Sequence, residues 1–293
     1  MNTRPYFQTG SFKLSQLCAA SGILALLLAA SSPAYSVIVA DFADGNTSAA
    51  VDGYVGKAGS GWGGAWVSKT TNMTIDSAAV TNSTPLKTGA DNYLAVSTSA
   101  AALATTPVMT INRQYGAAGG GVTLTGPTQF TFLFRPDTGS SIDYRYVIYD
   151  AAASQSGTSS NCSWIIAAQS GFWRVVNGNK AGGVTSEIIT SAAVTLGTAY
   201  EFTVDTNPAT QTWGVTIANT GGSVLYSNNS LGFRTISTSL GGYLAFGVSD
   251  TATASASTFG YSFDSIAIVP EPSSIALVSL SVLGLLVLRK RAA

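Results

Sequence analysis

Any chemistry in this sequence has to be done without histidine. None of its 293 residues is one, which removes the commonest general base, the commonest zinc ligand and any Ser-His-Asp arrangement. Carboxylates remain. Beyond residue 36 the glutamates are Glu187, Glu201 and Glu271. Glu201, in AYEFTVD, shares a predicted strand face with Thr203 and Asp205. Four residues of strand separate these two acids by about 13 Å at ~3.3 Å per residue, wider than the ~5–9.5 Å of an acid/base pair that hydrolyses a glycosidic bond. The expectation from these residues is a protein that is not an enzyme.

Two sets of residues have the chemistry of binding. Trp62 and Trp66, in GSGWGGAW, offer flat apolar faces on which a sugar ring can stack, although a tryptophan in a β-sandwich also packs between sheets. Asp41 and Asp44, in DFADGN, and Asp264, in YSFDSIAI, are hard oxygen donors suited to calcium, although an acidic turn is also well solvated by itself. The two aspartate groups lie near opposite ends of the body, and the first and last strands of a jelly roll often run close together.

The elements that position them are predicted to be strands. Charged residues make up only 10% of the chain, Gly, Ser, Thr and Ala dominate, and Val, Ile, Phe, Tyr and Thr recur in short runs. In QFTFLFRPD, Phe130, Phe132 and Phe134 fall on one face; in DYRYVIYDA, Tyr144, Tyr146 and Ile148 alternate with Arg145, Val147 and Tyr149. CSWIIAA, FWRVV, AYEFTVD, TWGVTIA, SVLYS, GYLAFGVS and YSFDSIAI read the same way. Asn177-Gly178 signals a hairpin after FWRVV, and Asn207-Pro208 a turn before TWGVTIA. The predicted fold is all-β: one antiparallel β-sandwich, a jelly roll, over 37–269. That body carries nine cations against thirteen anions, a balance that excludes nucleic acid as an expected partner.

The two ends are of another kind. Residues 1–36 combine Arg4 and Lys13, an apolar stretch LCAASGILALLLAA and small residues at Ala34 and Ser36, the pattern of a cleaved signal peptide. Residues 270–293 begin with Pro270-Glu271-Pro272. An apolar run, Ile275 to Leu288, follows, and then Arg289, Lys290 and Arg291. Fourteen residues make about 21 Å of helix at ~1.5 Å per residue, short for a bilayer but sufficient where the flanking serines extend it and Arg289 snorkels. The three cations are expected on the cytoplasmic side, leaving the body outside.

The tail resembles the PEP-CTERM sorting signal of Gram-negative bacteria, which joins Val-Pro-Glu-Pro, a short span and a basic end. The resemblance implies export, transient anchoring in the inner membrane by a C-terminal transmembrane helix, and recognition by an exosortase. It also implies delivery to the cell surface or to a biofilm matrix rich in extracellular polysaccharide. The body resembles concanavalin A-like, laminin G-like sandwiches through DFADGNTSAAVDGYVGKAGSGWGGAW, ADNYLAV, FTFLFRPD, YRYVIYD and YSFDSIAI. The function expected is thus a non-enzymatic surface or matrix protein that binds extracellular polysaccharide. The alternative is a carbohydrate-active enzyme, a hydrolase or lyase, although the Glu-x-Asp-x-x-Glu strand of sandwich glucanases has no counterpart here.

Overall fold

The structure, a computed structural model, describes residues 37–43, 59–87, 91–102, 104, 106–116, 124–139, 145–157, 161–235, 240–249 and 256–270. These fall in one compact unit, Tyr35–Glu271. The signal segment, Asp44, Tyr144 and the tail from Glu271 onward lie outside the described residues, and with them both expected terminal helices. Among the described residues no helix is long and apolar enough to cross a membrane.

The described residues form strands and no helix, in two antiparallel sheets. The first sheet runs β13 (Val224–Gly232), β12 (Thr212–Asn219), β11 (Tyr200–Asn207), β6 (Thr128–Gly139), β15 (Ser257–Pro270), β4 (Tyr93–Ala100) and β3 (Thr74–Thr81), with β1 (Ile38–Ala40) also paired to β15. The second runs β10 (Val184–Ala193), β9 (Phe172–Gly178), β8 (Cys162–Gln169), β7 (Arg145–Ala151), β14 (Tyr243–Ser249), β5 (Val108–Gln114) and β2 (Trp66–Thr71). This is the expected antiparallel sandwich, and each sequence run named above as a strand overlaps one in its described part.

Alternation is what closes it. Phe130, Phe132 and Phe134 of β6 point one way and are at most 1% exposed. They meet Phe246 of β14, Trp164 of β8 and Trp173 of β9 edge-on or stacked, at centroid distances of 5.3–6.2 Å. A fully buried side chain of this size stabilises the fold by roughly 1.5–3 kcal/mol relative to exposure, so this aromatic layer dominates the core. β7 is buried on both faces. Tyr146 and Ile148 enter the central core, while Val147, Tyr149 and Ala151 form a second apolar layer with Ile165, Ala167, Val176 and Ala245 on the far side of the sheet. Residues after β7 cross that far side, and the Gln155 carbonyl accepts from Thr110 Oγ1 (2.6 Å), Asn112 Nδ2 (3.2 Å) and Tyr149 OH (3.1 Å).

Two turn signals fare differently. Asn207 caps its turn as expected, Oδ1 accepting from the amides of Ala209 (3.1 Å) and Thr210 (3.4 Å). Asn177-Gly178 is not the turn of its hairpin. Gly178 is still in β9, paired with Val184, and the chain reverses over residues 179–183 around Asn179, whose Oδ1 accepts from Ala181 and Gly183. The reason is a crossing. A Cβ on Gly178 would sit 2.3 Å from the Arg234 backbone, and Asn177 Oδ1 accepts from Gly232 N at 2.8 Å. The Asn-Gly pair thus admits the chain leaving β13.

Candidate functional site

The long strand β15 changes partner in mid-course. β4 pairs with Ser257 through Phe263, and β1 with Ile266 through Ile268. Between these ladders Asp264 and Ser265 form a bulge, marked by a register shift against β6 and by a left-handed Ser265 (φ 51°). An extra residue in one strand bends it and leaves groups outside the ladder. Asp41 follows β1 immediately, and Asp91 and Asn92 immediately precede β4. The three aspartates therefore converge on the gap and line one cavity of about 270 Å³ with Ala43, Asn92 and Ser265.

Asp41 and Ala43, the described part of DFADGN in the lining, thus lie beside Asp264, while Asp44 lies outside the described residues. Asp91, which the sequence reading did not single out, is the third acid. Asp264 is 3% exposed. Burial pushes its carboxyl up to about 6; the Ser265 hydrogen bonds oppose the rise, and the Asp91 and Asp41 charges add to it. Among the described residues no three acidic, thiol or imidazole groups stand as a ready-made metal cage.

The tryptophans divide. Trp66 is fully buried, stacked on Phe42 (6.0 Å) and packed on Phe263 (5.2 Å) and Phe246 (6.3 Å). Its expected role as a glycan platform is corrected, because no face of the ring is open to a ligand. Trp62 is half-buried and donates from Nε1 to the Val39 carbonyl (2.8 Å). The Arg113 guanidinium lies 4.7 Å from its ring centroid, a cation–π contact. Of the two tryptophans, only Trp62 keeps part of its ring exposed.

Two further groupings were not foreseen. At one end of the core Tyr115 OH donates to Asp150 Oδ1, and the amides of Gly241 (2.9 Å, to Oδ2) and Gly242 (3.4 Å, to Oδ1) also donate to this carboxylate. Burial raises the pKa of both side chains, and for Tyr115 the Asp150 charge adds to it. On the first sheet a cleft of about 250 Å³ is lined by Pro127, Asp205, Asn207, Thr212, Trp213 and Asn229, among others. There Asp205 Oδ1 accepts from Gln129 Nε2 at 2.8 Å. The cleft's volume lies below the roughly 300–1,000 Å³ of drug-sized sites. Glu201, by contrast, is engaged by Lys87 at 3.5 Å.

No family model matches the sequence, and no curated protein does. Solved structures do. A polysaccharide lyase family 7 alginate lyase, A1-II′, is similar at 15% identity, with 60% of this chain and 80% of that one covered and a TM-score of 0.44. The cellulose-induced protein Cip1 matches at 12% identity, 70% and 90% coverage and a TM-score of 0.40. The binding domain of botulinum neurotoxin DC matches at 10% identity, 75% and 47% coverage and a TM-score of 0.39. This chain spans only 17% of a similar sialidase. At such values the likeness is one of sandwich type.

One expectation is corrected by these neighbours. A protein without catalytic activity was expected, yet alginate lyases at 10–15% identity stand on sandwiches of this kind. The missing histidine and the missing glucanase strand remove particular mechanisms. They do not remove catalysis from the fold.

Proposed function

We propose that the protein is an exported surface or matrix component of a Gram-negative envelope whose sandwich is directed at extracellular polysaccharide. In this reading the N-terminal signal takes the chain through the inner membrane, and the C-terminal run Ile275–Leu288 tethers it. An exosortase then recognises Pro270-Glu271-Pro272. The observation that carries the reading is the order of three features in one tail: a Pro-Glu-Pro motif, a short apolar span and a basic end. Two prolines favour an extended motif and remove two backbone donors, the form in which a protease takes its substrate. The carbohydrate part rests on surface chemistry. Asp205, Asn207, Thr212 and Asn229 present carboxylate, amide and hydroxyl groups of the sort that hydrogen-bond sugar hydroxyls, and Trp62 adds a half-open indole.

The polysaccharide reading takes two forms, retention of the polymer and its cleavage. The same experiment separates them. Purified protein is incubated with the producing organism's own extracellular polysaccharide, and co-sedimentation and polymer length are followed together. Binding without shortening assigns retention, and progressive shortening with new unsaturated or reducing ends assigns a lyase or hydrolase. A polymer neither bound nor shortened would overturn the carbohydrate reading and leave the sorting reading to its own test, by fractionation.

A further inference from the structure

The exposed apolar surface of the sandwich is gathered at one edge. Among the described residues seven large apolar side chains are exposed, and six of them, Phe172, Val184, Ile189, Leu196, Val224 and Leu225, belong to β9, β10, β13 or the turn that leaves β10. β10 and β13 are the edge strands of the two sheets. They touch, Ser191 Oγ donating to the Leu225 carbonyl at 2.9 Å. Ile189 and Ala193 lie two residues to either side of Ser191, about 7 Å along the strand at ~3.3 Å per residue, and Ala193 pairs with Phe172. Phe172, Ile189, Val224 and Leu225 therefore form one neighbourhood that spans both sheets. Its most open members are Val224, 61% exposed, and Ile189, 59%.

We propose that this edge is the contact between two copies of the chain, related by a two-fold axis. Charge selects the partner. Over residues 184–196 and 219–232 the sole charged residue is Glu187, and Arg174 Nη1 stands 3.9 Å from its carboxylate. The patch is thus close to neutral and meets its own copy without like-charge repulsion, whereas a strongly charged partner gains nothing there. The opposite edges are made differently. β2 and β3 carry the exposed Lys69 and Asp76 and no large exposed apolar side chain, and charge of this kind keeps edge strands from pairing. With one apolar edge per molecule the contact is patch to patch, which closes as a pair and does not propagate. Two register shifts interrupt β13 against β12, so the copies meet through side chains and not through a long shared ladder. An exposed apolar cluster runs to about 300–600 Å², and a stable interface takes about 800 Å² from each partner. The exposed Thr185, Ser186 and Ser227 widen the contact, with Arg174 and Glu187 at a polar rim.

The test is sedimentation equilibrium of the full chain in density-matched detergent over a range of protein concentrations. The wild type should follow a monomer–dimer equilibrium. The double change Ile189→Lys with Val224→Lys, at exposed positions of the two edge strands, should weaken the dimer at least ~thirtyfold while the circular dichroism spectrum stays that of the wild type. Thr70→Lys, an exposed change on the opposite edge strand β2, should leave the dimer as it is. The wild type also reads the contact without substitution: amide exchange over 184–193 and 224–228 should slow as the protein is concentrated. A wild type that is monomeric throughout, a dimer that survives the double change in a folded variant and so forms through the tail or another surface, equal weakening by Thr70→Lys, or exchange in these segments indifferent to concentration would each overturn the proposal.

Discussion

Replacing Tyr115 by phenylalanine removes one oxygen from the buried end of the sandwich and tests how the Asp150 carboxylate is held there. Both side chains are buried, at 1% and 0% exposure, and the Tyr115 hydroxyl donates to Asp150 Oδ1. A hydrogen bond to a charged group contributes about 1.5–3 kcal/mol net. Stripping a buried ion of its sole partner costs more, roughly 3–5 kcal/mol. Because the amides of Gly241 and Gly242 still donate to the carboxylate, the lower range applies, and a loss of about 2 kcal/mol at neutral pH is expected. In a body of this size that lowers the melting temperature by roughly 4–8 °C. The pH dependence has a definite sign. Burial holds the folded pKa of Asp150 above its unfolded value, so the folded state binds the extra proton. Its stability is greatest below the ordinary aspartate range and declines as pH rises through the raised folded value. Removing the tyrosine donor, which lowers that pKa, raises it further. The deficit of Tyr115→Phe should therefore shrink on acidification and grow toward neutral pH. Urea unfolding of both proteins at mildly acid and neutral pH measures it. A variant within ~0.5 kcal/mol of wild type at neutral pH, or a deficit larger in acid, would refute the reasoning.

Three other outcomes are open to direct measurement. Gly178→Ala places a methyl 2.3 Å from the Arg234 backbone; chemical denaturation should show a loss at or above the top of the ~1–3 kcal/mol range for overpacking, and a neutral effect would mean that the crossing strands separate easily. Trp66→Ala empties a fully buried site beside Phe42, Phe246 and Phe263 and should cost about 3–5 kcal/mol, whereas Trp62→Ala should cost less and, if Trp62 stacks on a sugar, should weaken co-sedimentation with polysaccharide. Neutralising Arg289, Lys290 and Arg291 together should impair anchoring or processing without unfolding the body; fractionation with an antibody to the body reads this, and unchanged processing and location would count against the tail reading.

Most of the core could be read from the chain because period-two alternation is a direct consequence of strand geometry. Phe130, Phe132 and Phe134 required nothing else. The same alternation placed Asp150 on the face of Tyr146 and Ile148, so a carboxylate facing the core was legible in YRYVIYD. Its partner was not, since Tyr115 arrives from β5, across β14 in the sheet. The acidic gap shows the limit more sharply. Phe263 and Ile266 both enter the core, three residues apart instead of two, and that spacing in YSFDSIAI is the signature of a bulge at Asp264-Ser265. Asp91 carries no comparable signal, because its place depends on where β4 stops pairing with β15 and β1 begins. β10 escaped notice for the opposite reason: its burial pattern over Val184–Ala193 is largely exposed, as befits an edge strand, and it lacks clean alternation.

The end of β15 bears on how the tail would be processed. Val269 and Pro270, the first residues of the Val-Pro-Glu-Pro motif, are still in the first sheet, opposite Gln129 and Thr128 of β6. Proline cannot donate to a ladder, and Pro270 is the last residue of β15. A protease that takes its substrate extended would have to receive a segment whose first two residues belong to a folded sheet, or wait for the strand end to fray. Fraying at a strand terminus is among the lowest-energy openings of a native protein, yet Ile266 through Ile268, just upstream, are held on one side by β1. We therefore predict that a short Gly-Ser segment inserted between Ile268 and Val269, which moves the whole motif off the sheet, will speed conversion of the membrane-bound precursor in pulse-chase experiments. A control insertion of the same length after Pro272 should not speed it. Equal rates for the wild type and the upstream insertion would mean that the end of β15 does not limit access, and a slower rate would mean that the sheet presents the motif to the protease.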